Sequence, residues 1–256
     1  MKLYRAELPK NRLAAIPTEE RTFFLALGHF ANEVNILQKV FYWSSEWADS
    51  NEFVIRAHTV QAMVMARLLV GKLNEGWNLL EKAYFARQLG QEYGPMLNEP
   101  TKLTLQKLKN YFGKENLINV VRNDFAFHYS PGNLDEGFHL PPEDEKWEMY
   151  LAESNANSLY YASELVTNYS LLESIHPGKH QKAMEDLISE SIRVAGWFTD
   201  VSAAFMIAFA EKHLVNEDGE FKMSPLDIGK VPKFDEVHIP FFVETAANTD
   251  TDRENT

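Results

Sequence analysis

The sequence predicts an all-α protein, an antiparallel helical bundle of about six helices, several of them long. Three observations carry that reading. Apolar residues return at three- and four-residue spacing through most of the first 215 residues. Clusters of turn formers separate those runs, at Asp49-Ser50-Asn51, from Gly90 to Pro100, and at His176-Pro177-Gly178. Strand-like alternation is nearly absent: only Lys146 to Leu151 alternates weakly, which leaves room for one short strand pair.

Residues 1–17 are punctuated by Pro9 and Pro17 and read as irregular. Thr18 is placed to cap a first helix, with Glu19 and Glu20 favourable in its first turn. Phe24, Leu27, Ala31, Val34, Leu37 and Phe41 form its stripe as far as about Trp47. A second helix spans about Glu52 to Arg87, with Ile55, Met65, Leu69, Leu73, Trp77 and Tyr84 on one side. Gly71 or Gly76 is where so long a helix would bend. After a loop over 88–100, Thr101 caps a short helix ending at Gly113. Lys114 to Pro131 reads as one more helix, stopped by the proline, and 131–145 as extended. Two further helices follow, from about Ala156 to Ile175 and from about Lys179 to Leu214. Residues 1–215 thus make a single bundle domain, and 216–256 an irregular extension. Its acidic end, 244–256, has the composition of a disordered tail.

Composition narrows the function. Hydrophobic residues are 45% of the 256 and charged ones 24%, which supports a soluble globular protein with a sizeable core. With no cysteine, disulfides, thiol nucleophiles and zinc–thiolate sites are excluded, which fits a cytoplasmic location. Met1 to Leu8 lacks the apolar core of a secretion signal, and the longest apolar run, Val201 to Ala210, is half of a membrane span. No membrane partner is expected. The net charge of −12 opposes nonspecific adhesion to nucleic acid, so DNA binding is not expected and any RNA must meet local positive charge.

Among chemical motifs, no phosphate loop, G-x-S-x-G, H-E-x-x-H or EF-hand loop is present. Glu173-Ser174-Ile175-His176 has the spacing of one half of a di-iron site, but it sits at a helix end without a second pair. His29, His58, His180 and His213 fall on separate helices and read as core or surface side chains. No metal or cofactor is expected.

What remains is Arg122-Asn123-Asp124-Phe125-Ala126-Phe127-His128. On a helical wheel Leu117, Val121, Phe125 and His128 share a face with Asp124 beside them, while Arg122 and Asn123 point elsewhere. Asp124 and His128, one turn apart, also suit a satisfied polar pair at the edge of a core. The stretch resembles the R-x(4–6)-H signature of HEPN domains, in which a polar residue often follows the arginine, as Asn123 does here. The resemblance extends to the arrangement of residues 18–175, with the last helix as a candidate extension of it. It implies an all-helical bundle, a metal-independent endoribonuclease of a toxin or phage-defence system, and an active site built across a homodimer. An antitoxin or another protein is the implied partner.

On that resemblance His128 is the general acid or base, Arg122 holds the phosphate and Asn123 adds a hydrogen bond. Asp124 is the supporting residue that orients the imidazole. Phe127 and Tyr129, bulky and on either side of the histidine, depart from an open site. One geometric condition follows. Six residues apart on a straight helix, Arg122 and His128 point about 120° away from each other. They converge only if the helix is distorted near Ser130-Pro131 or if a second subunit completes the site. The alternatives are a non-catalytic HEPN-like module that binds a nucleotide or a partner, and a helical structural or interaction protein.

Overall fold

The computed structural model describes residues 1–45, 51–86, 88–126, 130–215 and 221–244. Among these most of the chain is helical, and the only strands form one short antiparallel pair. The first strand, β1 (Leu3–Ala6), precedes a short helix α1 (Lys10–Ala15), so residues 1–17 are more ordered than their prolines suggest. Three long helices then make the centre: α2 (Thr18–Ser45), α3 (Glu52–Leu79) and, near the end, α9 (His180–His213). Each of the three packs on the other two. Their stripes supply the fully enclosed side chains, among them Leu27, Val34, Leu69, Leu73, Leu187 and Phe198.

α3 is unbroken through Gly71 and Gly76 and continues into a π-helical turn, Leu80–Phe85, where the repeat widens by one residue. Gly76 has a different use: a Cβ there would lie 2.2 Å from the Phe30 ring, so the missing side chain lets α2 and α3 approach. Phe30 fills that space and meets Phe198 edge-on at 5.0 Å, which ties all three long helices together.

The shorter elements cover this centre. The expected loop over 88–100 contains α4 (Leu89–Tyr93) and a 3-10 turn, Gly94–Met96. α5 (Glu99–Phe112) begins at Asn98 rather than Thr101: the Asn98 side chain accepts from the Thr101 amide at 2.9 Å, with Pro100 in the first turn. Then come α6 (Leu117–Val121), α7 (Pro131–Phe138) and α8 (Tyr161–Ile175). α5 lies on α9, α6 on α3, and α7 on α8. The weak alternation at 146–151 yields only a single bridge, Tyr150 to Leu159. The strand pair lies elsewhere: β2 (Met223–Leu226) joins β1 with Leu3 opposite Leu226 and Ala6 opposite Met223. Beyond it the chain returns along α2 and α3, where the Trp43 indole donates to Phe234 O and the Phe241 amide donates to His58 Nε2.

By length and composition, 52–85 and 180–213 are apolar enough to cross a membrane, and both are central helices whose buried faces form the core.

One polar cluster closes an end of the bundle. Glu20 is buried, and its carboxylate accepts from Lys212 Nζ at 2.9 Å and Tyr93 OH at 2.9 Å, with His213 Nε2 at 2.6 Å. Burial pushes the Glu20 carboxyl up, but the bonds from Lys212, His213 and Tyr93 outweigh it and hold the group below its ordinary 4.5. Its stabilisation is therefore complete above about pH 4.5 and is lost as the pH falls through the lower, folded-state value. Glu20→Gln should cost about 1.5–3 kcal/mol at neutral pH by removing the charge that accepts from Lys212, Tyr93 and His213, while Lys212 keeps Glu92 as a partner at 2.9 Å. In urea melts that penalty should shrink below about pH 4.5; a pH-independent penalty would contradict this role for the charge.

Candidate functional site

The stretch around Arg122 is not one helix. Asn116 caps α6, its side chain accepting from the Asn119 amide at 2.9 Å, so the helix starts at Leu117 rather than Lys114. Ile118 and Val121 are completely buried and Leu117 is half-buried. From Arg122 to Ala126 the backbone continues as a π-helical turn. Pro131 then begins α7 instead of ending a helix, with Ser130 as its cap. The departure from α geometry therefore begins at Arg122, well before the proline on which the sequence places it. The proline's lack of an N–H suits the first turn of a helix as well as it suits a stop, and here the first turn wins.

The turn sorts its residues onto different sides. Arg122 is about one-third exposed and faces α3, where its Nη2 donates to Glu75 Oε1 at 3.2 Å. Its Nη1 donates to Asn123 Oδ1 at 3.3 Å, and Nε is buried without a partner. Beside it on α3 runs a row of amides: Asn78 donates to Asn74 at 3.2 Å, and Asn74 to Asn119 on α6 at 2.7 Å. Asn123 and Asp124 are exposed, and Phe125 is half-buried against the core. The Asp124 side chain has no hydrogen bond or ion pair with any described residue. His128 lies outside the described residues, as do Phe127 and Tyr129, so Arg122, Asn123 and Asp124 are the candidate residues whose surroundings are known.

On the inner side of the turn lies a cavity of about 420 Å³ between α3, the turn, α7 and α8. Asp124, Phe125 and Ala126 form one wall. Arg67, opposite, is buried on α3 and donates from Nη2 to Glu164 of α8 at 2.9 Å. Arg67 and Glu75 were not visible as site residues in the sequence. Each is a charged residue within the long α3 pattern, and only the arrival of the turn from 122 to 126 gives them a common place.

The histidines read as surface or core do take up such roles. His58 is buried, and His213 belongs to the Glu20 cluster. The Glu173–His176 spacing is divided between two separate pairs, His176 with Asp186 at 2.8 Å and Glu173 with His180 at 2.7 Å, which clasp the α8–α9 turn. Among the described residues no group of three or more acidic or histidine side chains is gathered as a metal site. Near that clasp the pKa of the half-buried Tyr111 hydroxyl is raised above its ordinary range by burial and by its bond to Glu190.

These features define an all-α protein with a charged π turn laid across a central helix. Set against protein-family models, curated proteins and solved structures, the chain matches none of them. The likeness to HEPN domains therefore rests on residues 122–128 and on the helical arrangement.

The contacts here differ in what they support. Asn116→Ala removes the α6 cap and should lower stability by about 1 kcal/mol. Glu75→Ala breaks only a half-exposed ion pair and should change it by less than about 1 kcal/mol. Chemical denaturation of the two variants checks the order; equal losses would mean that Arg122–Glu75 holds the turn in place.

Proposed function

We propose that this chain is a HEPN-like protein of the toxin or phage-defence type that cleaves RNA without a metal, as a cytoplasmic homodimer with Arg122 and His128 in its cleft. An antitoxin or another protein is its proposed partner. The observation that supports the reading best is the position of Arg122: a partly exposed guanidinium on a π turn, whose side-chain partners among the described residues are Glu75 and Asn123. π turns recur at functional sites because the widened repeat displaces side chains from the ordinary helical faces. The Glu75 pair is of the half-exposed kind that contributes about 0–1 kcal/mol, so a phosphate can displace the glutamate at little cost.

In this reaction His128 takes the proton of a ribose 2′-hydroxyl, whose oxygen attacks the adjacent phosphorus. A second acid, supplied by the symmetry-related subunit, protonates the departing 5′-oxygen. Arg122 stabilises the charge that accumulates on the non-bridging oxygens, and Asn123 adds a neutral donor. The products are a 2′,3′-cyclic phosphate and a 5′-hydroxyl. The acidic surface sets a limit: the substrate has to be single-stranded and bound locally, because the chain as a whole repels a polyanion.

A second reading, a module that binds a nucleotide without cutting it, is favoured by the Arg67 cavity behind the same turn.

RNA incubated with the wild-type chain in chelator should be cut to fragments with cyclic phosphate ends. His128→Ala should lower the rate by about 10²–10⁴ and Arg122→Ala by about 10²–10³. Glu75→Gln should leave the rate unchanged or raise it. Cleavage by His128→Ala at the wild-type rate would refute the mechanism.

A further inference from the structure

Arg67 is the buried charge that the proposed cleavage does not use. Its side chain is 10% exposed, Nη2 is occupied by Glu164, and Nη1 is closed from solvent with no acceptor. An unsatisfied nitrogen on a buried cation is rare enough in folded proteins to need an explanation. Arg67 is one of the residues that line the 420 Å³ cavity, whose volume lies within the range of small-molecule sites. Val64, Leu68, Phe125 and Leu134 make the apolar part of its wall, and Asp124, Glu164 and Asn133 supply polar groups. The Asp124 and Asn133 side chains have no partners among the described residues.

Charge decides what kind of ligand fits. One cation faces two carboxylates, Glu164 and Asp124, so a phosphate or carboxylate group would meet net negative charge. The occupant is then uncharged, with an acceptor for Arg67, N–H donors for the carboxylates and an apolar flat body for the walls. Guanine has these groups in one molecule: O6 and N7 accept, as in its usual pairing with arginine, while N1–H and the 2-amino group donate. Adenine puts an amino donor where the arginine requires an acceptor. We infer that the cavity between α3, α8 and the 122–126 turn is a pocket for one unpaired guanine base, with its carbonyl edge towards Arg67 and its N–H donors towards Asp124 and Glu164.

The base can come from a free nucleotide or from RNA. In the second case the inference rests on the nuclease reading above and makes the pocket the part of the site that selects the base beside the cut. Stacking and edge contacts to a splayed base are how single-stranded RNA is read elsewhere.

The test is calorimetric titration of the full chain with guanosine, adenosine, guanosine monophosphate and an oligoadenylate carrying a single guanine. Guanosine should bind at least about tenfold more tightly than adenosine, and adding the phosphate should not improve it. Arg67→Met combined with Glu164→Leu removes both charges together, so no lone charge is left buried, and should abolish guanosine binding. If that variant fails to fold, Thr167→Leu, which fills the cavity from α8, decides instead. Tighter binding of the guanine-bearing oligonucleotide than of guanosine assigns RNA as the source; equal binding assigns the free nucleotide. Equal affinity for guanosine and adenosine, no binding of either, or binding that survives both variants overturns the inference. Guanosine binding without RNA cleavage leaves the pocket in place and removes the nuclease reading, whereas cleavage without guanosine binding does the reverse.

Discussion

Val121 is completely buried, in a helix that packs on α3, and Arg122, the next residue, opens a π turn. That junction governs the arrangement of the candidate site. Were α6 to continue as an α-helix, Phe125 would follow Val121 at the usual four-residue spacing and Arg122 would keep its place on the opposite wheel. In the π turn Phe125 stays against the core, as the α spacing from Val121 would also place it, while Asp124 borders the Arg67 cavity and Arg122 reaches Glu75. One change in hydrogen-bond register thus separates a face that can meet phosphate from a face that can enclose a small ligand.

The second theme is how an acidic chain keeps its arginines. Arg122 is matched by Glu75 and Arg67 by Glu164. Arg56 is matched by both Glu52 and Glu148, each at 2.5 Å. What distinguishes the pairs is burial. Arg67–Glu164 is mostly shielded from water, so its charges feel each other strongly and losing one partner is expensive. Arg122–Glu75 is open, screened by solvent and readily exchanged for another anion. The same pairing therefore reads as architecture at one arginine and as a replaceable contact at the other.

Much of the bundle was legible in the sequence because burial follows the helical period. The bounds of α2, α3 and α9 agree closely with their apolar stripes, and the tight turn at His176-Pro177-Gly178 falls where its residues place it. The errors occur where one residue type serves two structural purposes. Pro131 can stop a helix or start one, and the side chain of Ser130 beside it settled the matter as a cap. Thr101 looks like a cap, yet it receives the cap of Asn98. The strands Leu3–Ala6 and Met223–Leu226 are too short and too distant in sequence for periodicity to pair them. Arg122, Asn123 and Asp124 stood out because charged and amide residues cluster there. Glu75 and Arg67 did not, since a π turn has no reliable sequence pattern and only that turn brings them to the site. Asp124 borders the cavity of Arg67, and the imidazole it is expected to orient, that of His128, lies outside the described residues.

The proposed activity depends on a second subunit, because Arg122 faces α3 of its own chain and a single copy offers one arginine on one side of one turn. The most direct measurement is sedimentation equilibrium combined with RNA cleavage over a dilution series. Specific activity per chain should fall in parallel with the dimer fraction and vanish for the monomer. Activity that stays constant through dissociation, or a chain that is active and monomeric at every concentration, would contradict a site shared across the two-fold axis.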